Sequence, residues 1–228
     1  MAQATCTECD VPEESVLLQN VQKRAQAELQ PEWNSHSAEK VWRCAPDVHA
    51  AQYAWKSLIL KISNAYATGG NFTAVAEEGI AKYYGYDIGK VEFKPTQAVE
   101  HPFRPTAGGA LSYFVGCAAA GPYCIQEDKG FAIAGGQGWS KVRFDNDQIN
   151  CFGDEDIAVA QGYYYFTNNE TGDIAAVEYS FGYKRMASGA LKIVLHHSSI
   201  PYKAPQNSTN STNSTLLIQD VSVTWKLN

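Results

Sequence analysis

The sequence has no long apolar run and no cluster of positive charge. None of its apolar stretches approaches the roughly 20 residues that a membrane-spanning helix requires. Its 18 Lys and Arg residues are outnumbered by 24 Asp and Glu residues, which gives a net charge of −6. We therefore expect neither nucleic acid nor an anionic membrane as a partner.

Metal-binding motifs are also missing. The five histidines include no HxH or HExxH spacing. His196 and His197 are adjacent, and adjacent residues of a strand point to opposite faces, so one shared ion is not favoured. The acidic stretch 145–147 is not followed by the ligands of a calcium loop. Together with 154–156, it is predicted to solvate turns between strands. We predict no metal cofactor.

Motifs for nucleophilic catalysis and phosphate binding are absent as well. There is no G-x-S-x-G elbow, and no Lys-Ser/Thr follows the glycine-rich stretch 135–138. A nucleophile–base pair of Cys151 and His197 has no support from motif or spacing. Six cysteines do not amount to a disulfide scaffold, although Cys117 and Cys124 could close a small loop in an oxidising compartment.

The first four residues, Met-Ala-Gln-Ala, lack the charged and apolar regions of a signal peptide. They do carry the Ala-x-Ala pattern that is typical just before a cleavage site. We expect an exported (periplasmic) or plastid, lumenal location rather than the cytoplasm.

The chain is long enough for one full domain with extensions: 228 residues, of which 45% are hydrophobic. We predict an N-terminal extension over 1–45, with one helix from Pro12 to Leu29. The main domain is predicted over 46–204. Residues 205–228 combine a low-complexity Asn/Ser/Thr linker with an alternating pattern that favours a final edge strand.

Helical patterns come first within the main domain. Asp47 is a predicted N-cap of a long helix that ends at 68–70, with Trp55 on its apolar face. A second helix is predicted from Phe72 to Glu78, ended by Gly79. A helical turn is predicted over 108–116.

After the first two helices, apolar and polar residues alternate with a period of two, which indicates strands. The first is a short strand that contains Val91 and Phe93. Four more strands are predicted: Phe131–Ala134 continuing into Lys141–Phe144, Ile157–Phe166, Ile174–Arg185 and Leu191–Ser199. Short turns separate the last three, which suits an antiparallel meander. The fold class is therefore α+β, with a cone-shaped, curved antiparallel sheet wrapped around the long helix and a pocket between them.

The last of these strands, Leu191–Ser199, carries the polar residues of greatest interest. Its alternation begins with apolar residues on one face, and His197 and Ser199 continue that face. We predict that both side chains point into the pocket. The alternative is a core histidine bonded to a backbone carbonyl, with a serine that merely ends the strand. Thr106, Tyr113 and Tyr123 supply further hydroxyl groups earlier in the chain.

Three motifs point to a known family. Glu100-His-Pro-Phe-Arg-Pro-Thr106, Gly162-Tyr-Tyr-Tyr-Phe166 and especially Leu195-His-His-Ser-Ser-Ile-Pro201 resemble the iota-class carbonic anhydrases of algae and bacteria. More broadly, residues 47–202 resemble the association domain of calcium/calmodulin-dependent kinase II, a member of the cone-shaped nuclear transport factor 2-like superfamily. The resemblance leaves the N-terminal helix and the tail unexplained.

The resemblance implies reversible hydration of CO2 to bicarbonate without a metal. By it, Thr106 and Ser199 are hydroxyl groups that bind bicarbonate, and Tyr123, rather than Tyr113 or Tyr164, is a third. His197 is the natural proton acceptor because its ordinary pKa is about 6.5. A homodimer is expected by analogy. Two alternatives stay open: a non-enzymatic association or small-ligand-binding module of the same fold, and a hydratase that needs zinc or manganese.

Overall fold

The computed structural model describes residues 42–203, which form three α-helices and five β-strands. The elements are α1 Cys44–Ala67, α2 Phe72–Tyr83, β1 Glu92–Lys94, α3 Ala107–Val115, β2 Trp139–Phe152, β3 Ile157–Asn168, β4 Ile174–Arg185 and β5 Leu191–Ser199. The predicted helix from Pro12 to Leu29 and the predicted final strand lie outside the described residues. No helix within residues 42–203 is both long and apolar enough to cross a membrane.

The five strands form one sheet in the order β1-β5-β4-β3-β2. Strands β2 to β5 pair antiparallel with their neighbours in sequence, and β1 adds in parallel to the outer edge of β5. This arrangement confirms the predicted meander and the α+β class. The alternating residues of β4 that face the core, Val177, Tyr179, Phe181 and Tyr183, are all buried.

Helix α1 is the element around which the sheet curves. Its central Trp55 is fully buried and contacts aromatic rings from all four long strands. These rings are Phe144, Tyr164, Phe166, Phe181 and His196. The helix begins at Cys44, three residues before the predicted Asp47, because Pro46 falls in the first turn, where its missing N–H is not needed.

The prediction that Gly79 ends α2 is wrong. Gly79 lies inside the helix. A Cβ at this position would stand 2.2 Å from a methyl carbon of Leu58 on α1. The glycine is therefore required for the close approach of the two helices, and α2 continues for four residues beyond it to Tyr83.

The predicted strand Phe131–Ala134 is wrong. Residues Phe131–Gly136 form a short 3₁₀ segment, and β2 starts only at Trp139. Ala134 and Gly135 have φ values of 49° and 63°, in the left-handed region that a strand cannot contain. Ser63 on α1 fastens this segment, donating its hydroxyl hydrogen to the Ala132 carbonyl and accepting the Trp139 N–H.

Two disulfides link the described residues. Cys117 and Cys124 close the small loop after α3, as their spacing allows in an oxidising compartment. Cys44 and Cys151 join the first turn of α1 to the end of β2 across 107 residues. The pairing removes Cys151 from consideration as a nucleophile.

Candidate active site inside the cone

The face that β5 turns toward the core changes partway along the strand. Gly182 of β4 pairs with Leu195, but the next residue, Tyr183, pairs with Ile193, so Val194 is an extra residue in the register. Such a bulge shifts the alternation of side chains by one position. The prediction that His197 and Ser199 point inward is therefore wrong: His197 is exposed and Ser199 is half-buried on the outer face.

His196 and Ser198 take the inward positions instead. Their exposed fractions are only 2% and 3%. Neither residue was predicted to face the core, although the sequence contains a signal for the bulge. A glycine in the interior of a strand often marks a bulge or a close approach, and Gly182 is such a glycine. A Cβ there would lie 3.0 Å from the Cβ of Leu195.

The His196 imidazole sits in an aromatic box. Phe93 of β1 stacks on it with 4.4 Å between ring centroids, and the Phe181 edge-to-face contact is 4.3 Å. Its Nδ1 atom lies 2.9 Å from the Tyr84 hydroxyl, and its Nε2 atom lies 3.4 Å from the Tyr164 hydroxyl. The ring is therefore held between aromatic side chains and at both nitrogens.

Burial shifts the pKa values of the titratable groups in this part of the core toward their uncharged forms. Burial, and secondarily the charge of His197, lower the pKa of His196 well below 6.5. Burial raises the pKa of Tyr164 well above its ordinary value, and a hydrogen bond with Ser198 only partly offsets that effect. Burial likewise raises the pKa of Tyr113, and the nearby Tyr164 raises it further. The cluster thus offers uncharged hydrogen-bond donors within an apolar wall.

The structure places Thr106 and Tyr123 next to one another, at the start of α3. Thr106 is the N-cap, and its hydroxyl oxygen accepts the Gly109 N–H at 3.2 Å. The Tyr123 ring covers Gly108 and is 54% exposed. The four site residues predicted from the sequence therefore fall into two pairs, one here and one on the outer face of β5.

A buried ion pair holds the extended segment that leads to Thr106. The Arg104 guanidinium is fully buried and lies 2.7 Å from the Asp128 carboxylate and 3.3 Å from Glu127. Glu127 also accepts three backbone N–H groups, from Val99, Glu100 and His101. No local pattern in the sequence indicates this network, because its partners are more than 20 residues apart.

Replacing Glu127 by Gln should remove a stabilisation that depends on pH. Desolvation raises the pKa of this carboxyl, but the three backbone donors and Arg104 outweigh it and lower the pKa from 4.5 to about 2. A lowered pKa stabilises the fold above about pH 4.5, and this contribution is lost as the pH falls toward 2. Wild type should be more stable than Glu127→Gln at pH 7, with the gap closing in acid.

Urea unfolding of both proteins between pH 7 and pH 2.5 measures this gap. Glu170→Gln, in the exposed turn between β3 and β4, is the matched control and should track wild type throughout. A gap that stayed constant across the acid range would contradict the assignment.

The outer face of the sheet carries a separate cleft of about 660 Å³. His197 and Ser199 line it, and the Ser199 hydroxyl donates to the Glu178 carboxylate at 2.9 Å. Asp145 and Asp147 also line it, because β2 bulges there; the acidic stretch 145–147 lies within the strand and not in a turn, as had been predicted. Residues 154–156 do occupy the turn after β2.

Across residues 42–203, no group of three or more His, Cys, Asp or Glu side chains is placed to hold a metal ion. The His–Tyr–Ser cluster in the cone also contains no carboxylate or thiolate among its hydrogen-bonding groups. Its chemistry is that of neutral donors, which suits a small uncharged substrate that becomes an anion.

Fold and cluster together define a class: an α+β protein whose curved sheet and helix α1 bury a small cluster of neutral polar groups. Comparisons with known proteins specify it further. The model of the family "Metal-independent carbonic anhydrase" matches residues 46–200. The chain belongs to that family.

Two relatives are similar over most of this chain. A metal-independent carbonic anhydrase of Nostoc sp. (strain PCC 7120 / SAG 25.82 / UTEX 2576) is 39% identical over 160 residues, 69% of this chain and 73% of the relative. The crystal structure of a cyanobacterial iota-carbonic anhydrase complexed with bicarbonate is 35% identical, with a TM-score of 0.63, covering 77% of this chain and 99% of that one. An NTF2-like protein of unknown function from Shewanella oneidensis MR-1 is 13% identical, with a TM-score of 0.39, covering 68% and 98%.

Proposed function

We propose that this protein catalyses the reversible hydration of CO2 to bicarbonate without a metal, at the cluster of His196, Ser198 and Tyr164. The observation that carries the proposal is the bulge in β5, which turns a histidine and a serine of the most family-specific motif into the aromatic box. The family match over residues 46–200 supports the reaction, and the bicarbonate in the cyanobacterial relative supports the ligand.

The aromatic walls suit the apolar CO2 molecule, and the neutral donors suit the product. In the hydration direction, the oxygen of water adds to the carbon of CO2, and a C–O electron pair moves onto the oxygen that becomes anionic. Donors from Ser198, Tyr164 and His196 strengthen as that charge develops. Holding water and CO2 in contact lowers the entropic part of the barrier. The proton of the water passes to solvent.

A zinc enzyme lowers the pKa of its bound water from 15.7 to about 7, which neutral hydroxyl groups cannot do. We therefore expect a slower reaction than that of the zinc classes. The residues predicted from the sequence define an alternative location of the active site for the same reaction. Thr106 and Tyr123 would bind at the start of α3, and His197 and Ser199 would act in the outer cleft.

Stopped-flow CO2 hydration on chelator-stripped protein, checked for residual metal, tests the function. We expect clear activity in the stripped protein and no increase on adding zinc or manganese. Activity that returned only with added metal would keep the reaction and overturn the mechanism. A complete lack of activity in both conditions would favour the non-enzymatic binding module.

Assembly and location are further proposals. We propose a homodimer that pairs through the sheet, by analogy with other domains of this shape. We also propose an oxidising compartment, such as the periplasm or a plastid lumen, because the two disulfides Cys44–Cys151 and Cys117–Cys124 need one to persist.

A further inference from the structure

A chain of hydrogen bonds reaches His196 from the side away from the substrate-binding hydroxyl groups. The Trp55 indole Nε1 lies 2.9 Å from the Tyr84 hydroxyl oxygen, which lies 2.9 Å from His196 Nδ1. Trp55 comes from α1, Tyr84 directly follows α2, and His196 comes from β5. All three side chains are buried, with exposed fractions of 0%, 0% and 2%.

The direction of each bond in this chain is fixed by chemistry. An indole N–H is only a donor, so the Tyr84 oxygen accepts from Trp55. In the described part of the chain, the Tyr84 hydroxyl has one other hydrogen-bond partner, His196 Nδ1. Its own hydrogen must therefore point to Nδ1, and Nδ1 must be the unprotonated nitrogen of the ring.

The opposite arrangement is unfavourable. If Nδ1 carried the proton and donated it to Tyr84, the phenol would accept two hydrogen bonds, and its own hydrogen would be buried without an acceptor. A buried donor without a partner disfavours that state by roughly 10- to 100-fold. A doubly protonated ring would create the same conflict at Nδ1.

We propose that Trp55 and Tyr84 are positioning residues that hold His196 as its Nε2–H tautomer, so that His196 donates a hydrogen bond to the substrate and does not accept its proton. The inference rests on the proposed site and deepens it. The Phe93 and Phe181 contacts fix the plane of the ring, and Nε2 faces the Tyr164 hydroxyl. The three substrate-facing groups are then Nε2–H, the Tyr164 hydroxyl and the Ser198 hydroxyl.

This role of His196 differs from the one predicted for His197, which was that of proton acceptor. With Nε2 protonated and Nδ1 occupied by Tyr84, the ring has no free lone pair on the substrate side. The proton released in hydration therefore leaves on water or buffer. The histidine contributes by stabilising the oxygen that becomes negative.

The tautomer is measurable by long-range ¹H–¹⁵N NMR on the full-length protein labelled with ¹⁵N-histidine. The His196 signals are assigned by their loss in His196→Gln. We expect an unprotonated Nδ1 and a protonated Nε2 in the resting wild-type protein. A protonated Nδ1, or an imidazolium at neutral pH, overturns the inference whatever the enzyme's activity.

Tyr84→Phe tests the cause of this preference. It should abolish the exclusive Nε2–H signature and lower kcat about tenfold, the loss of one well-placed hydrogen bond, with little change in KM. Tyr86→Phe is the matched control: Tyr86 stacks on Tyr84, but its hydroxyl donates to the Arg104 carbonyl, so the His196 signals should be unchanged. An unchanged His196 tautomer in Tyr84→Phe overturns the positioning role.

The two proposals fail in different ways. If stripped wild type does not hydrate CO2 but His196 is the Nε2–H tautomer and Tyr84→Phe changes it, the proposed function is lost and the positioning by Trp55 and Tyr84 stands. If the enzyme is active and Nδ1 is protonated, the reaction stands and this inference fails. Should Tyr84→Phe not fold, the wild-type spectrum alone decides.

Discussion

Replacing Ser198 by Ala is expected to lower kcat/KM for CO2 hydration by about 10²- to 10³-fold, the usual loss when one donor to a developing oxyanion is removed. Ser199→Ala is expected to stay within about twofold of wild type. The two serines are neighbours in sequence but face opposite sides of the sheet, so the pair controls for composition and strand stability. Stopped-flow assays on stripped protein measure the ratio.

The adjacent histidines give a second matched pair. His196→Gln should lose activity on the same scale as Ser198→Ala, whereas His197→Gln should keep it. The reverse pattern, with loss in Ser199→Ala and His197→Gln, would move the site to the outer cleft and restore the assignment predicted from the sequence. Retention in all four variants, with loss in a Thr106 or Tyr123 variant, would place the site at the start of α3.

Replacing Arg104 by Met is expected to lower the free energy of unfolding by about 3–5 kcal/mol, the usual cost of removing one partner of a buried ion pair. The loss arises because the Asp128 carboxylate, only 6% exposed, keeps its desolvation penalty without a counter-charge. The segment before Thr106 would also lose the Arg104 contacts with the His101 and Phe103 carbonyls. Urea unfolding at pH 7 measures the change.

Arg143→Met is the control for this variant. Arg143 lies 3.3 Å from Asp145, but both side chains are more than half exposed, so removing it should cost no more than about 1 kcal/mol. The double variant Arg104→Met with Asp128→Leu should regain much of the lost stability, because no unpaired buried charge remains. Similar small losses in Arg104→Met and Arg143→Met would contradict the buried-pair interpretation.

Local patterns in the sequence predicted the fold well. Strands Ile174–Arg185 and Leu191–Ser199 were placed at their observed ends because their alternation is regular and short turns bound them. The helical turn predicted over 108–116 is confirmed as α3, Ala107–Val115, with Thr106 as its N-cap. Each of these features depends on residues close together in the chain, which is why a linear pattern reveals them.

The site could be predicted only in part, since it depends on pairing between distant residues. The motif Leu195–Pro201 indicates the stretch of β5 at which we propose the site, but which histidine points inward depends on how Ile193 and Leu195 pair with β4. Tyr84 and Trp55 come from two other elements and appear in the sequence as ordinary core aromatics. Similarly, Gly79 resembles a helix stop until Leu58 is seen to occupy the space beside it.

The bulge at Val194 has a consequence for how this site tolerates change. In the run His196-His-Ser-Ser199, a one-residue slip of the strand would replace an inward histidine by a histidine and an inward serine by a serine. An insertion or deletion next to the bulge would therefore exchange the inward-facing and outward-facing residues of β5. A histidine and a serine would still face inward. The doubled motif would therefore keep one histidine and one serine inside after the kind of register error that ordinarily reverses every side chain of a strand.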